Sequence, residues 1–432
     1  MGLARTEYYL IKANSNQWKG YDYLLNLQLK KLKKIINFSY YNIKFYHDLF
    51  KKEKLHPSGI RKLSDINKIP LISKKDIYDN FPNNIVNKKV NLNKCVIWET
   101  SGSTGKPLKI AYDSKADDFA NAIILRSYYG NGLKRFDKWC VIAPPEFKSK
   151  KGKSYKFFEK LKLQSPFYIS DFEKVEKQIE ILKSYKPRVL DCPSTDLFLI
   201  AKYIKENDIK EINPEIVTTN AEILDENMRK YINDVFNVKL SDVYGCMELR
   251  RTAWECPKHE GYHMDIDSVI TQFLKDGEDV SYGEQGKIVF TGLFNYAMPI
   301  IRYDIGDVGI PSENTCSCGR GLPMMKVIEG KLLDFLISTN DDLISPHIPK
   351  GFLLLVPGIK MFKLIQYSKY KLKLIIVKKD DYKIETNNEI KKTLKKYLGD
   401  EISIDIEFVD KIKRDNRKYK VIESKVPSTK IF

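Results

Sequence analysis

No uninterrupted apolar run approaches the roughly 18 residues needed to cross a bilayer, so no transmembrane segment is expected. The first residues, MGLARTEYYLIKANSNQW, lack the apolar core of a secretory signal. Met1, Gly2 and Thr6 match a loose acylation pattern that a chain rich in Lys, Ile and Asn meets by chance. Cysteine is sparse: seven residues, an odd number, in a large chain do not make a disulfide scaffold and point to a reducing compartment. No internal repeat and no long low-complexity segment is visible. These absences predict a soluble, cytoplasmic protein. Hydrophobic residues at 43% and aromatics at 12% suffice for large cores and argue against disorder. At roughly 150 residues per domain, the 432 residues fit two or three domains.

Positive charge is in excess, 74 basic against 56 acidic residues for a net +18. Lys is spread along nearly every segment, usually with Asp or Glu nearby. The densest run, Lys148, Lys150, Lys151, Lys153 and Lys156, carries Gly152 and two serines and reads as a solvated loop rather than a patch for an anionic partner. No nucleic-acid-binding module accompanies the charge, so no nucleic-acid partner is expected.

Residues 20 to about 85 read as helical, with Leu24, Leu25, Leu27, Leu29 and Leu32 on one side of a Lys-rich stretch. From about 95 to 300, apolar runs alternate with amphipathic helices. Val96–Trp98, Cys140–Ala143, Val189–Leu190, Ile216–Thr218 and Lys287–Phe290 are expected strands, and Phe172, Val175, Ile179 and Leu182 mark a helix ending near Pro187. This alternation predicts an α/β domain with substantially parallel pairing. Cys95, Cys140, Cys192 and Cys246 sit in apolar or mixed sequence and read as buried thiols. The last hundred residues form a β-β-α-β pattern: strands over Lys360–Gln366 and Tyr370–Val377, a helix through Ile390, Leu394 and Leu398 stopping at Gly399, and a strand through Ile402, Ile404, Ile406 and Phe408.

The segment TSGSTGKP, Thr100 to Pro107, follows the apolar Cys95–Trp98. Gly102 and Gly105 let the backbone turn so that N–H groups point inward at phosphate oxygens. Ser101, Ser103 and Thr104 add hydroxyls, and Lys106 adds a positive charge. The spacing is not the Walker pattern.

TSGSTGKP resembles the phosphate-gripping loop of adenylate-forming enzymes. Four further segments match that family in order: NAEIL from Asn220, YGCME from Tyr244, NYAMPIIRYDIGD from Asn295, and a hinge-like stretch Gly330–Asp334. Phe45–Tyr46, LSDINKIPLISKKDI from Leu63, and YGCMELRRTAWECPKHEGYH resemble the phenylacetate–CoA ligase-like branch, and within it the CapK-type capsular polysaccharide proteins, over residues 35 to 425.

The resemblance implies that Thr100 to Lys106 hold the β- and γ-phosphates of ATP and that Glu248 helps coordinate Mg²⁺. It implies that Asp307 accepts hydrogen bonds from the ribose, that Asn220, Ala221 and Glu222 flank the adenine, and that Tyr244, followed by Gly245, lies near it. Lys418, in RKYK from Arg417, corresponds to the lysine that bridges carboxylate and α-phosphate. Three departures stand out. Met247 occupies the place of a Thr or Ser that contacts the α-phosphate. Lys331 replaces an Arg, keeping charge but losing the bidentate fork. Ser338–Pro346 matches poorly the glycine-rich stretch used near the coenzyme.

A second constellation is Cys256-Pro-Lys-His259-Glu-Gly-Tyr-His263, followed by Cys316-Ser-Cys318-Gly319. Cys-x₂-His and Cys-x-Cys-Gly knuckles suit tetrahedral zinc with three thiolates and one imidazole. The alternative is reduced surface cysteines beside an unrelated histidine. CSCGRG and ECPKHEG are too polar to read as core, and a disulfide within Cys-Ser-Cys would be strained. Phenylacetate–CoA ligases carry a His like His263 without the cysteines, so the expected ligands are Cys256, His259, Cys316 and Cys318, in a structural site.

The expected fold is α/β: a large N-terminal adenylate-forming domain with parallel-rich sheets (1–330) and a small α+β C-terminal domain (331–432) that rotates about the hinge. The expected activity is ATP-dependent activation of a carboxylic acid as acyl-AMP and transfer to a thiol or amine, in capsule or surface polysaccharide assembly. Coenzyme A as acceptor would make it an aryl- or acyl-CoA ligase; a non-catalytic scaffold retaining the fold is the alternative of another class. A homodimer is compatible with the sequence.

Overall fold

The computed structural model describes residues 2–99, 108–143, 166–171, 173, 175–221, 224, 226–329, 336–341, 343–344, 347–412 and 421–426. The chain divides into two compact units, Met1–Thr100, Pro107–Ile305 and Gly309–Ile328 in the first, and Ser101–Lys106, Gly306–Val308 and Glu329–Phe432 in the second. The hinge-like stretch Gly330–Asp334 and the basic run from Lys148 to Lys156 lie outside the described residues.

The first unit begins with helices Gly2–Asn16, Tyr21–Asn42, Lys44–Lys52 and Lys74–Asn80. Tyr21–Asn42 buries Leu24, Gln28, Leu32, Ile35, Ile36 and Ser39, a three-to-four spacing that puts one face inward. Gln28 is the polar member of that stripe, and its amide donates to the carbonyls of Ile266 and Val269. Ser73 and Asp76 form a capping box that starts Lys74–Asn80. Gly2–Asn16 precedes the helical region expected from the sequence and packs along helix Ser114–Gly130, with Arg5 paired to Asp118.

Fourteen strands follow in this unit among the described residues. β1 (Val96–Glu99) and β2 (Lys109–Tyr112) form an antiparallel ribbon. The others are β3 (Trp139–Ala143), β4 (Phe167–Ser170), β5 (Val189–Pro193), β6 (Ile216–Asn220), β7 (Ser241–Cys246), β8 (Arg250–Glu255), β9 (Tyr262–Met264), β10 (Val269–Lys275), β11 (Glu278–Asp279), β12 (Gly286–Gly292), β13 (Tyr303–Ser312) and β14 (Met324–Glu329). These join in one sheet of order β11-β10-β12-β13-β14-β9-β8-β7-β6-β5-β3-β4.

Pairing is parallel from β4 through β3, β5 and β6 to β7. Helices Val175–Tyr185, Ser194–Glu206 and Glu226–Phe236 supply the crossovers such pairing requires. Beyond β7 the links β7–β8, β8–β9, β9–β14 and β10–β12 are antiparallel. The expected α/β architecture is present, but parallel pairing is confined to one half. Lys287–Phe290 lies in β12 and pairs antiparallel with β10; Val96–Trp98 lies in the separate ribbon. Short turns between sequential strands permit only antiparallel pairing there. Cys140 and Cys192 are buried as expected, whereas Cys95 and Cys246 are half-buried, one beside a surface turn and the other ending β7 at a hairpin.

The second unit has a short ribbon of β15 (Leu336–Ile337) and β16 (Leu343–Ile344), then β17 (Ile359–Ser368), β18 (Lys371–Lys378), β19 (Ser403–Phe408) and β20 (Ile422–Ser424) in the order β19-β18-β17-β20. Helix Thr386–Leu398 buries Ile390, Leu394 and Leu398 and ends at Gly399, whose φ of +106° favours glycine. The expected β-β-α-β pattern is observed, preceded by helix His347–Leu355.

Candidate functional site

In open sheets with parallel strands, ligands bind beyond the strands' carboxyl ends. Asn220 ends β6, and its amide donates to Asp191 Oδ2 of the neighbouring β5 at 3.0 Å. Thr218 Oγ1 donates to the other Asp191 oxygen at 2.6 Å, so this buried carboxylate fixes the end of β6. Ala221 follows in the left-handed region (φ +68°) and turns the chain away from the strand.

Next along the sheet, β7 and β8 form a tight hairpin carrying Tyr244, Gly245 and Glu248. Arg250 enters β8 with a φ of +65°, which costs a non-glycine residue about 1–3 kcal/mol. Its carbonyl oxygen lies so close to Gly245 that a Cβ there would stand 2.2 Å from it. Glycine is therefore required by the hairpin. Glu248 sits at the hairpin's tip and is buried. Tyr303 OH donates to its Oε1 at 2.8 Å, and Tyr112 OH donates to its backbone carbonyl at 2.7 Å. Both the carboxylate and the peptide that carries it are thus held. Tyr303 opens β13, the strand on which Asp307 lies, also buried. The ring of Tyr244 lies 6.2 Å from that of Phe290. Thr100, Ser101, Gly102, Ser103, Thr104, Gly105, Lys106, Glu222, Lys331 and Lys418 lie outside the described residues.

A second cluster forms where β8, β9 and β14 meet. The ligand atoms of Cys256, His263, Cys316 and Cys318 all lie within 4.8 Å of one another. Cys256 Sγ is 3.6 Å from Cys316 Sγ, and Cys318 Sγ is 3.4 Å from His263 Nε2. Tetrahedral zinc with bonds of about 2.3 Å to sulfur sets sulfur–sulfur separations near ~3.8 Å. The Lys258 N–H points at Cys256 Sγ (3.5 Å). Gly319 turns the second knuckle with φ +80°, its N–H donating to the Cys316 carbonyl. Ser317 donates from N and Oγ to Glu260, tying the two loops together. His263 is buried, and burial pushes its pKa down to about 4, leaving the neutral imidazole a metal needs. Its Nδ1 faces the Leu322 carbonyl at 3.4 Å, which leaves Nε2 for a ligand.

His259, expected from the family resemblance as the fourth member, is not in this cluster. Its N–H closes the Cys256 turn, and its backbone takes a φ of +54° that directs Nδ1 toward Glu255, 3.8 Å away. His263 arrives by strand pairing instead, opposite Trp254 on β8 and Met324 on β14. Cys256 and Cys316 are also buried, despite the polarity of their segments.

Trp254 is the floor of this cluster. Its ring lies 5.6 Å from His263, its Nε1 donates to Asp265 at 3.1 Å, and Arg320 covers it at 5.1 Å. Asp265 and Asp267 both accept from Arg126, all three wholly buried. Gly130, which ends helix Ser114–Gly130, leaves room for the indole: a Cβ there would lie 2.5 Å from Trp254 Cη2. Gly130→Ala is expected to destabilise the folded protein by about 1–3 kcal/mol through overpacking, read as a lower midpoint in chemical denaturation.

Beside the cluster, Glu255 accepts from both terminal nitrogens of Arg229 and from the Asp242 N–H. Burial and the Glu255 charge push Asp242 from its ordinary 3.8 up to about 7, although Tyr262 OH donates to it. A carboxyl that holds its proton more tightly when folded loses stabilising effect as pH rises through that window. Unfolding free energy is expected to fall from pH 5 to pH 8, and Asp242→Asn should flatten the slope.

The CapK C-terminal domain family matches residues 336–425. Protein CapK of Staphylococcus aureus is 27% identical over 90% of this chain and 86% of its own. The phenylacetate–coenzyme A ligase of Escherichia coli (strain K12) is 29% identical over 73% of each chain, and that of Thermus thermophilus 25% identical over 77% of this chain and 76% of its own. Among solved structures, 2-hydroxyisobutyryl-CoA ligase in its postadenylation state superposes with a TM-score of 0.77 at 17% identity, covering 95% of this chain and 91% of that one. At that identity the superposition speaks for the fold. No helix among the described residues is long and apolar enough to cross a membrane. In sequence the chain is thus similar to Protein CapK and to phenylacetate–coenzyme A ligases, and its fold is that of 2-hydroxyisobutyryl-CoA ligase.

Proposed function

We propose that the protein is an ATP-dependent ligase that activates a carboxylic acid as acyl-AMP and passes the acyl group to a thiol or amine. The observation that carries this is Glu248: a buried carboxylate held by Tyr303 and Tyr112 on a hairpin beside the carboxyl ends of the parallel strands. A carboxylate oxygen suits Mg²⁺, a hard cation that prefers oxygen ligands. MgATP, when bound, supplies the α-phosphorus that the substrate carboxylate attacks. Glu248 would hold the metal, and Thr100, Ser101, Gly102, Ser103, Thr104, Gly105 and Lys106 would cradle the phosphates. Asp307 receives the ribose hydroxyls, and Asn220, steadied by Asp191, flanks the adenine with Ala221, Glu222 and Tyr244. Lys418 bridges the carboxylate and the α-phosphate, and Lys331 belongs to the hinge between domains 1–330 and 331–432.

The phenylacetate–coenzyme A ligases among the relatives favour coenzyme A as the acceptor. The sequence's resemblance to CapK-type capsular polysaccharide proteins, with Protein CapK among the relatives, favours an acid and acceptor from capsule or surface polysaccharide assembly. Pyrophosphate release with a panel of carboxylates tests the ligase reading; no release with any of them would leave a scaffold that retains the fold. Turnover that requires coenzyme A selects the thiol acceptor, and turnover without it the amine.

Cys256, His263, Cys316 and Cys318 would hold one Zn²⁺. Four protein ligands close the coordination sphere, so the metal would clamp two loops of the first unit rather than take part in chemistry.

A further inference from the structure

The hairpin that carries Glu248 also presents a cation to which the ligase reading gives no role. Arg250 stands two residues after Glu248, with its backbone in the left-handed region (φ +65°) and its carbonyl packed over Gly245. Its guanidinium lies on the indole of Trp98, 3.9 Å from the ring centroid. Trp98 belongs to β1, which ends immediately before the Thr100–Pro107 segment. Among the described residues, Arg250 Nε is buried without a hydrogen-bond partner and Arg250 forms no ion pair. Its neighbour Arg251 turns elsewhere, donating to the Ile124 carbonyl and lying 4.7 Å from the Tyr128 ring.

A buried guanidinium N–H without an acceptor is costly and calls for an explanation. Here the group's plane is fixed by the indole and its backbone is held in a conformation that L residues rarely adopt. That is a donor preorganised for an acceptor brought by a ligand. An anionic oxygen matches it best, because a guanidinium bonds phosphate oxygens through paired N–H groups. Three residues earlier in the same hairpin stands Met247, a side chain with no donor in the place where a hydroxyl is expected to meet the α-phosphate.

We propose that Arg250 is the protein's α-phosphate contact, doing with a charged fork what a hydroxyl at position 247 would otherwise do. The inference rests on the adenylate-forming reading. In that frame Arg250 touches the reacting phosphate and offsets the charge that develops on it as the carboxylate attacks.

Titration calorimetry with AMP and with adenosine tests this without knowledge of the acid substrate. The wild-type protein should bind AMP at least about tenfold more tightly than adenosine, as a charge-assisted contact to phosphate requires. Arg250→Gln should abolish most of that preference while leaving adenosine affinity unchanged. Arg250→Lys, which keeps the charge, should retain part of the preference and serves as the second variant if Gln lowers thermal stability. Adding Met247→Thr to Arg250→Gln should restore part of the AMP preference, a rescue that a merely structural arginine would not permit. A preference that survives Arg250→Gln, or a proportional loss of AMP and adenosine binding, overturns the role of Arg250 and leaves the ligase reading intact. A wild-type protein that binds neither nucleotide overturns both.

Discussion

Alanine at Glu248 should lower ATP–pyrophosphate exchange by a factor on the order of 100 or more, the loss expected when a charge-stabilising group is removed from a transition state. The reason is positional. Glu248 is one of few carboxylates in the first unit that are buried yet tied through one oxygen to a neutral donor, Tyr303 OH, rather than to a cation. Asp265 and Asp267, by contrast, are paired with Arg126. An acid without a counter-charge among the described residues suits a site that awaits Mg²⁺. Lys106→Ala should produce a loss of the same order by removing the charge that grips the phosphates. Tyr303→Phe removes one hydrogen bond, worth about 1 kcal/mol, and should cost roughly tenfold or less. If exchange is unchanged in both the Glu248 and the Lys106 variants, the Mg²⁺ and phosphate-loop assignments fail together.

The other large effect is expected at the cysteine cluster. Protein purified without chelator should contain about one equivalent of zinc per chain. Cys316→Ser and His263→Ala should each reduce this below about a tenth of an equivalent and lower the unfolding temperature, because binding free energy at a structural site is folding free energy. His259→Ala should keep its zinc. Loss of exchange activity in the metal-free variants would then follow from loosening of β8, which runs from the Glu248 hairpin to Cys256. Zinc below a tenth of an equivalent in the wild type, with all three thiols freely titratable, would leave a metal-free protein.

Much of the architecture was legible in the sequence because it rests on local periodicity. Ile390, Leu394 and Leu398 marked their helix and Gly399 its end, and the alternation at Ile402–Phe408 marked β19. Strand partners are not local. Nothing in Lys287–Phe290 distinguishes a parallel from an antiparallel neighbour, and β12 proved antiparallel. The same limit explains the histidine. The family resemblance favoured His259, because phenylacetate–CoA ligases carry a His like His263 without the cysteines, but the cluster contains His263, which reaches it because β9 lies between β8 and β14. A signal was present in the alternation of β9: Tyr262 is committed to Asp242, so His263 must face the other side of the strand. Arg250 gave no such sign, since its meaning depends on Trp98, about 150 residues earlier, lying beneath it. Asp191 and Tyr303 escaped notice for the same reason: each acts on a residue far away in the chain.

The position of β14 has a consequence for the order of events during synthesis. In the sheet it lies between β13 and β9, so the strands from β10 to β13 reach those from β9 to β7 only through it. Until Met324–Glu329 has been made, the nascent chain holds two separate part-sheets with facing open edges. At about 5–20 residues per second, the ribosome takes several seconds to travel from Cys256 to Cys318. For that interval Cys256 and His263 wait without the two thiols that would close their site. The sheet of the first unit therefore becomes whole late, when β14 joins the halves shortly after the two thiols have been made.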